Sequence, residues 1–188
     1  GGSFHFEVSE DYIITQRYNG HTNILITKFE SPEHGFLVFD YMPRYRTSDL
    51  RHYMPPEIQR YIRVFKGTPS LKVVYDPKIN YARETVRHEI VGNYIKTHSV
   101  EDSEDKVYLY TSFDREKVLK REEIVMTDHH FFLLSYNQKL VNIDINRVLL
   151  DFERTKVYWL NFVNRSRDYV QYNDMIKRSL LVLKLLSY

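Results

Sequence analysis

The chain closes on an almost uninterrupted apolar run, and the rest of the sequence is organised around it: Arg178-Ser179-Leu180-Leu181-Val182-Leu183-Lys184-Leu185-Leu186-Ser187-Tyr188. At helical spacing one face of this segment carries Met175, Ile176, Leu180, Leu183 and Leu186. The other faces add Leu181, Val182 and Leu185. A helix that is hydrophobic nearly all round belongs inside a core, and leaving half a dozen such side chains in water forgoes on the order of 10 kcal/mol. The sequence therefore predicts that other protein covers this helix.

Two interpretations differ in what covers the closing helix. In the first, the helix docks on a single-domain fold and completes it. In the second, the chain was cut from a longer protein whose next domain begins here. The run reaches Tyr188 without a Gly or Asn cap and without a following Pro, which favours the second interpretation.

Composition defines the broad class of protein. The chain has 188 residues, of which 43% are hydrophobic and 28% charged, as is typical of a globular protein. It has no Cys and a net charge of only +2, so we expect no disulfide framework and no nucleic-acid partner. No apolar run approaches the ~20 residues that span a bilayer, and no signal peptide is visible. We therefore expect no membrane partner and a cytoplasmic location.

The region before residue 143 reads as short alternating strands separated by turns. Asn19-Gly20 and Gly92-Asn93 are hairpin signals. The predicted strands are 11–18, 21–30, 36–41, 58–65, 71–75, 85–90, 94–98, 106–113, 124–126 and 129–136. With Phe4, Phe6 and Val8 alternating before them, this pattern predicts an antiparallel sandwich or barrel. For 115–123 the pattern leaves two predictions open, a short helix or an exposed edge strand.

Near Asp144 the spacing of the apolar residues becomes helical. The apolar positions then fit one helix face: Ile145, Val148, Leu149, Phe152, Trp159, Phe162 and Val163. Asn142 or Asp144 serves as the N-cap, and Asn173 is placed to cap the closing helix. We expect Trp159 to pack on the strands together with Phe152 and Phe162. The predicted fold class is mainly β, with two C-terminal α-helices.

These segments resemble a known family. Its motifs here are Thr155-x-x-Tyr158-Trp159-x-x-Phe162 and Arg178-Ser179-Leu180-x-x-Leu183-Lys184-Leu185-Leu186. Earlier stretches also resemble motifs of this family and occur in the family's order: Gly1-Gly2-x-Phe4, Gln16-Arg17-Tyr18, Thr22-Asn23-Ile24-Leu25-x-Thr27-x-Phe29, Asp40-Tyr41-Met42-Pro43, Ile62-Arg63-Val64-x-x-Gly67 and Asn80-Tyr81-Ala82. From first residue to last, the chain resembles glycoside hydrolase family fifteen, the glucoamylases and trehalase-like enzymes. Phe162, where the family usually has Trp, and Ala82, where it usually has Gly, depart from the pattern.

The resemblance implies a fold and a division of the chain. Residues 1–142 would form a super-β-sandwich that lacks its first strands, and 143–170 a linker helix. Residues 171–188 would be the first helix of a truncated (α/α)6 catalytic barrel. The two catalytic glutamates of an inverting mechanism would lie beyond Tyr188. The chain would then be the non-catalytic N-terminal portion of an inverting α-glucoside hydrolase, without catalytic, cofactor-binding or metal residues of its own. Its partner would be the barrel of the same parent chain, with self-association through the closing helix when the barrel is missing.

The residues themselves offer no convincing acid pair. Inverting hydrolysis needs two carboxyl groups about 6.5–9.5 Å apart, one of them protonated. The clustered acids are predicted to be solvated turn residues: Glu101, Asp102, Glu104, Asp105, Glu122 and Glu123. Asp40 is predicted to fix the Met42-Pro43 turn through backbone hydrogen bonds.

The histidines offer no metal site either. His129 and His130 are strand neighbours and must point to opposite faces. His88 and His98 are predicted to form a cross-strand pair. We find no Gly-rich phosphate loop, Ser-His-Asp order or zinc spacing, so no cofactor is expected.

A free-standing carbohydrate-binding or protein-interaction module is the alternative. Its sugar platform would consist of Tyr41, Tyr45, Tyr53 and Tyr61, beside Arg44, Arg46 and Arg51 on the basic rim of the loop 42–56. It would contact an α-glucan or a disaccharide, and it requires that these rings be exposed and roughly coplanar. A nucleic-acid function for the arginine loop is the weakest hypothesis, because Asp49 and Glu57 dilute its charge.

Overall fold

The computed structural model describes residues 2–101 and 104–187. Gly1, Asp102, Ser103 and Tyr188 lie outside the described residues, and three of them, Gly1, Asp102 and Tyr188, figure in the sequence analysis.

An eight-stranded antiparallel sheet is the centre of the fold. In spatial order it consists of β2 (Ile13–Tyr18), β3 (Leu25–Glu30), β4 (Gly35–Tyr41), β7 (Glu57–Lys66), β13 (His129–Tyr136), β11 (Lys106–Thr111), β10 (Tyr94–Ser99) and β9 (Val86–Val91). A smaller sheet contains β1 (Ser3–Glu7), β8 (Ser70–Asp76) and β12 (Ile124–Val125). A two-stranded ribbon contains β5 (Tyr45–Arg46) and β6 (His52–Tyr53). The prediction of an antiparallel, mainly β fold is confirmed.

The helices of the described residues lie mostly in the C-terminal part of the chain. They are α1 (Arg115–Lys120), α2 (Ile145–Asn164) and α3 (Asn173–Leu186), besides a single 3-10 turn at Asn80–Ala82. The segment 115–123, open between helix and edge, forms α1, because the Asp114 side chain accepts hydrogen bonds from the amides of Glu116 and Lys117.

Each face of the large sheet covers a separate core, because side chains alternate along every strand. One core lies against the small sheet and contains Phe36, Val38, Ile62, Leu71, Val73, Leu109 and Phe132. The other lies against α2 and contains Ile26, Phe39, Tyr41, Tyr61, Leu133, Val148 and Phe152. The layers are therefore small sheet, large sheet and helix α2.

The caps of the long helices were predicted only in part. Asp144 caps α2, its carboxylate accepting from the Arg147 amide at 2.9 Å. The prediction that Asn173 caps α3 is wrong. Tyr172 occupies the cap position with φ 58°, and the Asn173 side chain accepts instead from the Tyr169 amide in the preceding loop.

Across residues 2–101 and 104–187, we find no helix with the length and hydrophobicity needed to cross a bilayer.

Candidate functional site

The C-terminal end of α3 is held by an arginine from the loop after β4. Arg44 donates from Nη1 to the Lys184 carbonyl at 2.7 Å and from Nη2 to the Ser187 carbonyl at 2.6 Å. Its guanidinium lies 5.9 Å from the ring centroid of Tyr158 and 5.6 Å from that of Trp159. The last carbonyls of a helix lack backbone partners within the helix. Arg44 donates to two carbonyls at this end, and that of Lys184 also accepts from the Ser187 hydroxyl at 3.0 Å. Arg44 is buried, and its predicted place on an exposed basic rim is wrong.

The middle of α3 is held by a second arginine. Arg178 donates to the Thr22 carbonyl at 2.7 Å and to the Asn23 side-chain oxygen, and its guanidinium lies 3.9 Å from the ring centroid of Tyr18. Asn23 returns a hydrogen bond from Nδ2 to the Leu181 carbonyl at 2.8 Å. These contacts join α3 to the loop between β2 and β3.

An apolar seam lies between α2 and α3. Its buried members are Trp159, Val163 and Leu181, and Tyr158, Phe162 and Leu185 pack around them. Trp159 is only 1% exposed, as predicted for a packed indole. Phe162 packs beside it, also as predicted, but Phe152 does not. Phe152 packs on the large sheet, whereas Trp159 faces α3, because seven residues place them almost two turns apart on α2.

The opposite face of α3 is apolar and exposed. Met175 is 68% exposed, Leu183 66% and Leu186 71%. Val182 beside them is also exposed. Within the described residues α3 is therefore covered on one face only, and the expectation that protein surrounds it is not met within this chain. Contiguous exposed apolar surface is common at interfaces between proteins, which makes this face a candidate docking surface.

A buried polar network joins α2 to the large sheet. Gln59 donates from Nε2 to Glu57 and to Asp151, both at 3.0 Å, and accepts from the Tyr41 hydroxyl at 2.7 Å. Arg147 donates to Glu57 at 3.1 Å and lies 3.6 Å from Asp151. Burial raises the pKa of Glu57, although the hydrogen bond from Gln59 and the charge of Arg147 oppose the rise.

This network links α2 to the large sheet, and its geometry does not suit a substrate site. The Gln59 amide occupies the space between the two carboxyl groups, where an inverting pair would need room for a sugar and a water. Sequence analysis named Glu57 only as a charge beside the arginine loop, and it did not name Asp151. Asp151 does carry a signal, since it lies on the apolar face of α2 between Val148 and Thr155, and a polar residue on a buried face implies a partner.

The clustered acids lie mostly at the surface. Glu101, Glu104, Glu122 and Glu123 are exposed, as solvated turn residues should be. Asp105 is half-buried and accepts from the Tyr136 hydroxyl. None of these five is brought to a second carboxyl group in a cleft of the described structure.

Asp40 differs from its prediction. Its carboxylate accepts from Arg60 Nε at 2.7 Å and does not fix the Met42-Pro43 turn. Burial raises the pKa of Asp40 against the influence of Arg60. The reason is register, because Asp40 on β4 lies directly opposite Arg60 on β7.

The histidines are also separated by register. His129 stacks on Tyr61 and His130 on Phe113, on opposite faces of β13 as predicted. The predicted cross-strand pair of His88 and His98 is wrong. His88 lies opposite Thr97, so His98, one residue further along β10, points to the other face and contacts Glu89 at 3.0 Å. In the part of the chain that the structure describes, no three His, Asp or Glu side chains are grouped to hold a metal ion.

The predicted tyrosine platform does not form. Tyr41 is 3% exposed and Tyr61 5% exposed, because both point from the large sheet into the core beneath α2. Tyr45 and Tyr53 stack on each other across the β5–β6 ribbon, with ring centroids 4.7 Å apart. Each of these two rings has one face covered by the other, so the four tyrosines do not form one exposed, coplanar surface.

A cleft of about 570 Å³ opens between the ribbon, α2 and the end of α3. Its lining includes Tyr45, Arg46 and His52 of the ribbon, Arg154, Tyr158, Phe162 and Arg165 of the α2 region, and Lys184 of α3. Sequence analysis missed this cleft, because its lining comes from three separate parts of the chain.

Comparison with known proteins gives one match. No protein-family profile matches the chain, and no solved structure matches it significantly. A trehalase of Thermoplasma acidophilum is 24% identical to it over 193 residues, which cover 96% of this chain and 31% of the trehalase. The chain thus spans about a third of the length of the curated relative that it matches. We conclude that nearly the whole chain is similar to one portion of a trehalase.

Proposed function

We propose that this chain is the non-catalytic N-terminal portion of a glycoside hydrolase that acts on α-glucosidic bonds. In this proposal the sheets form a platform, and α3 is the first helix of the catalytic barrel of the same parent chain. The similarity to one portion of a trehalase supports the class of enzyme. The inverting mechanism, the α-glucoside specificity and the division at residues 142 and 170 are parts of the proposal that rest on the resemblance. A cytoplasmic location is a further part of the proposal.

The observation that carries the proposal is the asymmetry of α3. One face is fixed to the platform by Arg44, Arg178 and Leu181. The other presents Met175, Leu183 and Leu186 to solvent. Each fully exposed Leu forgoes roughly 1.5–3 kcal/mol of burial free energy. A helix that is fixed so firmly and yet exposes this much apolar surface suits a second layer of protein packed on it.

The catalytic barrel is the occupant we propose for this surface. The matched portion is only 31% of the similar trehalase, so a parent of similar size would supply the required protein. The sugar-binding module loses its basis, because two of its four tyrosines are buried and the other two stack on each other.

Complementation tests the proposal. The chain and the remaining portion of the parent would be purified separately, mixed, and assayed on trehalose, maltose, maltooligosaccharides and starch. We expect no turnover by the chain alone, a one-to-one complex in the mixture, and hydrolysis only by the complex. Turnover by the chain alone that disappears in Glu57→Gln or Asp151→Asn would overturn the proposal.

A matched pair of variants locates the contact. Leu183→Lys with Leu186→Lys should abolish the complex, whereas Leu150→Lys, on the exposed side of α2, should leave it intact. If the unmodified chain forms a stable dimer through this face and never binds the remaining portion, a second copy is the occupant and our proposal fails.

A further inference from the structure

The cleft beside the β5–β6 ribbon has a pronounced excess of positive charge. Four cationic side chains line it, Arg46, Arg154, Arg165 and Lys184, against one carboxylate, Glu153. Glu153 already pairs with Lys156 at 3.6 Å. None of the four cations forms an ion pair with a carboxylate of the described residues.

Part of the lining is held in place before any ligand arrives. The guanidinium of Arg154 lies 5.1 Å from the ring centroid of Tyr45. Tyr45 is itself fixed by its stack on Tyr53 and by a 3.1 Å hydrogen bond to Asp151. On the other wall, the His52 ring lies edge-on to Tyr158, with centroids 6.2 Å apart. A site that is ordered in advance loses less conformational entropy when it binds.

The size and chemistry of the cleft define the ligand class. A volume of about 570 Å³ is within the usual range for small-molecule sites. Guanidinium groups match the paired oxygens of phosphates and carboxylates. The aromatic faces nearest the charges are already used by other side chains, which disfavours recognition by ring stacking.

We propose that this cleft binds a compact, multiply charged oxyanion, either free or carried on a sugar as a phosphate ester. Such a ligand would bring the four cations together at the junction of the ribbon, α2 and α3. This inference goes beyond the proposed function, since it concerns a surface other than the exposed face of α3.

Isothermal titration of the 188-residue chain tests it, with inorganic pyrophosphate, glucose 6-phosphate and glucose as separate probes at low salt. We expect saturable one-to-one binding of at least one charged probe and none of glucose. A higher affinity for glucose 6-phosphate than for pyrophosphate assigns a sugar-borne anion, and the reverse order assigns a free one. Both affinities should fall as salt is added, because screening weakens the attraction. No saturable binding of either charged probe would overturn the proposal.

Charge-matched variants locate the site. Arg154→Gln and Arg165→Gln should each weaken binding about tenfold, as expected for the loss of one charge-assisted contact. Arg87→Gln removes the same charge from the edge strand β9, outside the lining, and should change nothing. Equal weakening by Arg87→Gln would show non-specific attraction and would overturn the proposal. Arg165 is exposed at the end of α2, so its variant should fold even if Arg154→Gln does not.

The two proposals fail separately. Leu183→Gln with Leu186→Gln, which removes the apolar surface without adding charge beside Lys184, should block complementation without altering oxyanion affinity, and Arg165→Gln should do the opposite.

Discussion

Arg44 donates a hydrogen bond from Nη1 to the backbone carbonyl of Lys184 at 2.7 Å, across 140 residues of chain. The bond links the loop after β4 to the last turn of α3. A second bond from the same guanidinium reaches the Ser187 carbonyl. One buried side chain therefore ties the last turn of α3 to the loop after β4.

Replacing Arg44 should therefore destabilise the chain. We expect Arg44→Ala to lower the free energy of unfolding by about 2–3 kcal/mol, since hydrogen bonds from a buried, charged donor are lost. Arg44→Lys should recover only part of this, because a lysine cannot reproduce the fork of donors. Urea denaturation measures the change. Arg46→Ala, at an exposed neighbour, is the control and should stay within about 0.5 kcal/mol.

Trp159 is the chain's single tryptophan and the centre of the seam between α2 and α3. Trp159→Ala should cost about 3–5 kcal/mol, as is usual for truncating a large buried ring. Val157→Ala, two residues away and exposed, should have little effect on the unfolding midpoint. In the unmodified chain, tryptophan emission should be blue-shifted and poorly quenched by iodide. Red-shifted, readily quenched emission would contradict the burial of Trp159 between α2 and α3.

Two leucines of α3 provide an internal comparison. Leu181 is buried in the seam, whereas Leu183 faces solvent. Leu181→Ala should lower the free energy of unfolding by about 2–5 kcal/mol, and Leu183→Ala by no more than about 0.5 kcal/mol. Equal losses, measured by thermal and urea unfolding, would show that α3 lies in a different orientation.

The buried network around Gln59 predicts that the stability of the fold depends on pH. Burial raises the pKa of Glu57 above its ordinary value of 4.5, so the folded state holds this proton more tightly than the unfolded state. The contribution of Glu57 to stability should therefore decrease as the pH rises from 4.5 through the folded-state pKa. Glu57→Gln, which is neutral throughout, should become more stable relative to the unmodified chain over this window. Urea midpoints measured at a series of pH values would show it.

Glu101→Gln, at an exposed acid, serves as the control for that series. An unmodified chain that instead gains stability relative to Glu57→Gln as the pH rises would mean that Arg147 outweighs burial.

Much of the fold followed from local patterns. The alternating pattern of 21–30 predicted a strand, and the structure forms β3 there with Ile26 and Phe29 in the cores on its two faces. Gly92-Asn93 predicted the hairpin that joins β9 to β10. The helical period from Ile145 predicted α2, together with Asp144 as one of its two candidate caps. These features depend on neighbours in sequence, so a single chain is enough to predict them.

The contacts of the candidate site could not be predicted from the sequence, because they join residues that are far apart along the chain. Asp40 meets Arg60, and His98 meets Glu89 rather than His88, because strand register brings them together. The apolar pattern of 175–186 predicted a helix, but not that Leu181 would be buried while Leu183 stayed exposed.

By itself, then, the sequence determined an antiparallel, mainly β fold with two C-terminal helices, because backbone periodicity and turn chemistry act over a few residues. Only the tertiary structure decided that Arg44 would hold the end of α3, that Gln59 would separate Glu57 from Asp151, and that four cations would line one cleft. Each of these arrangements joins segments far apart along the chain. Their geometry is fixed by strand register and helix packing, which act between segments and leave no periodic signal in the sequence.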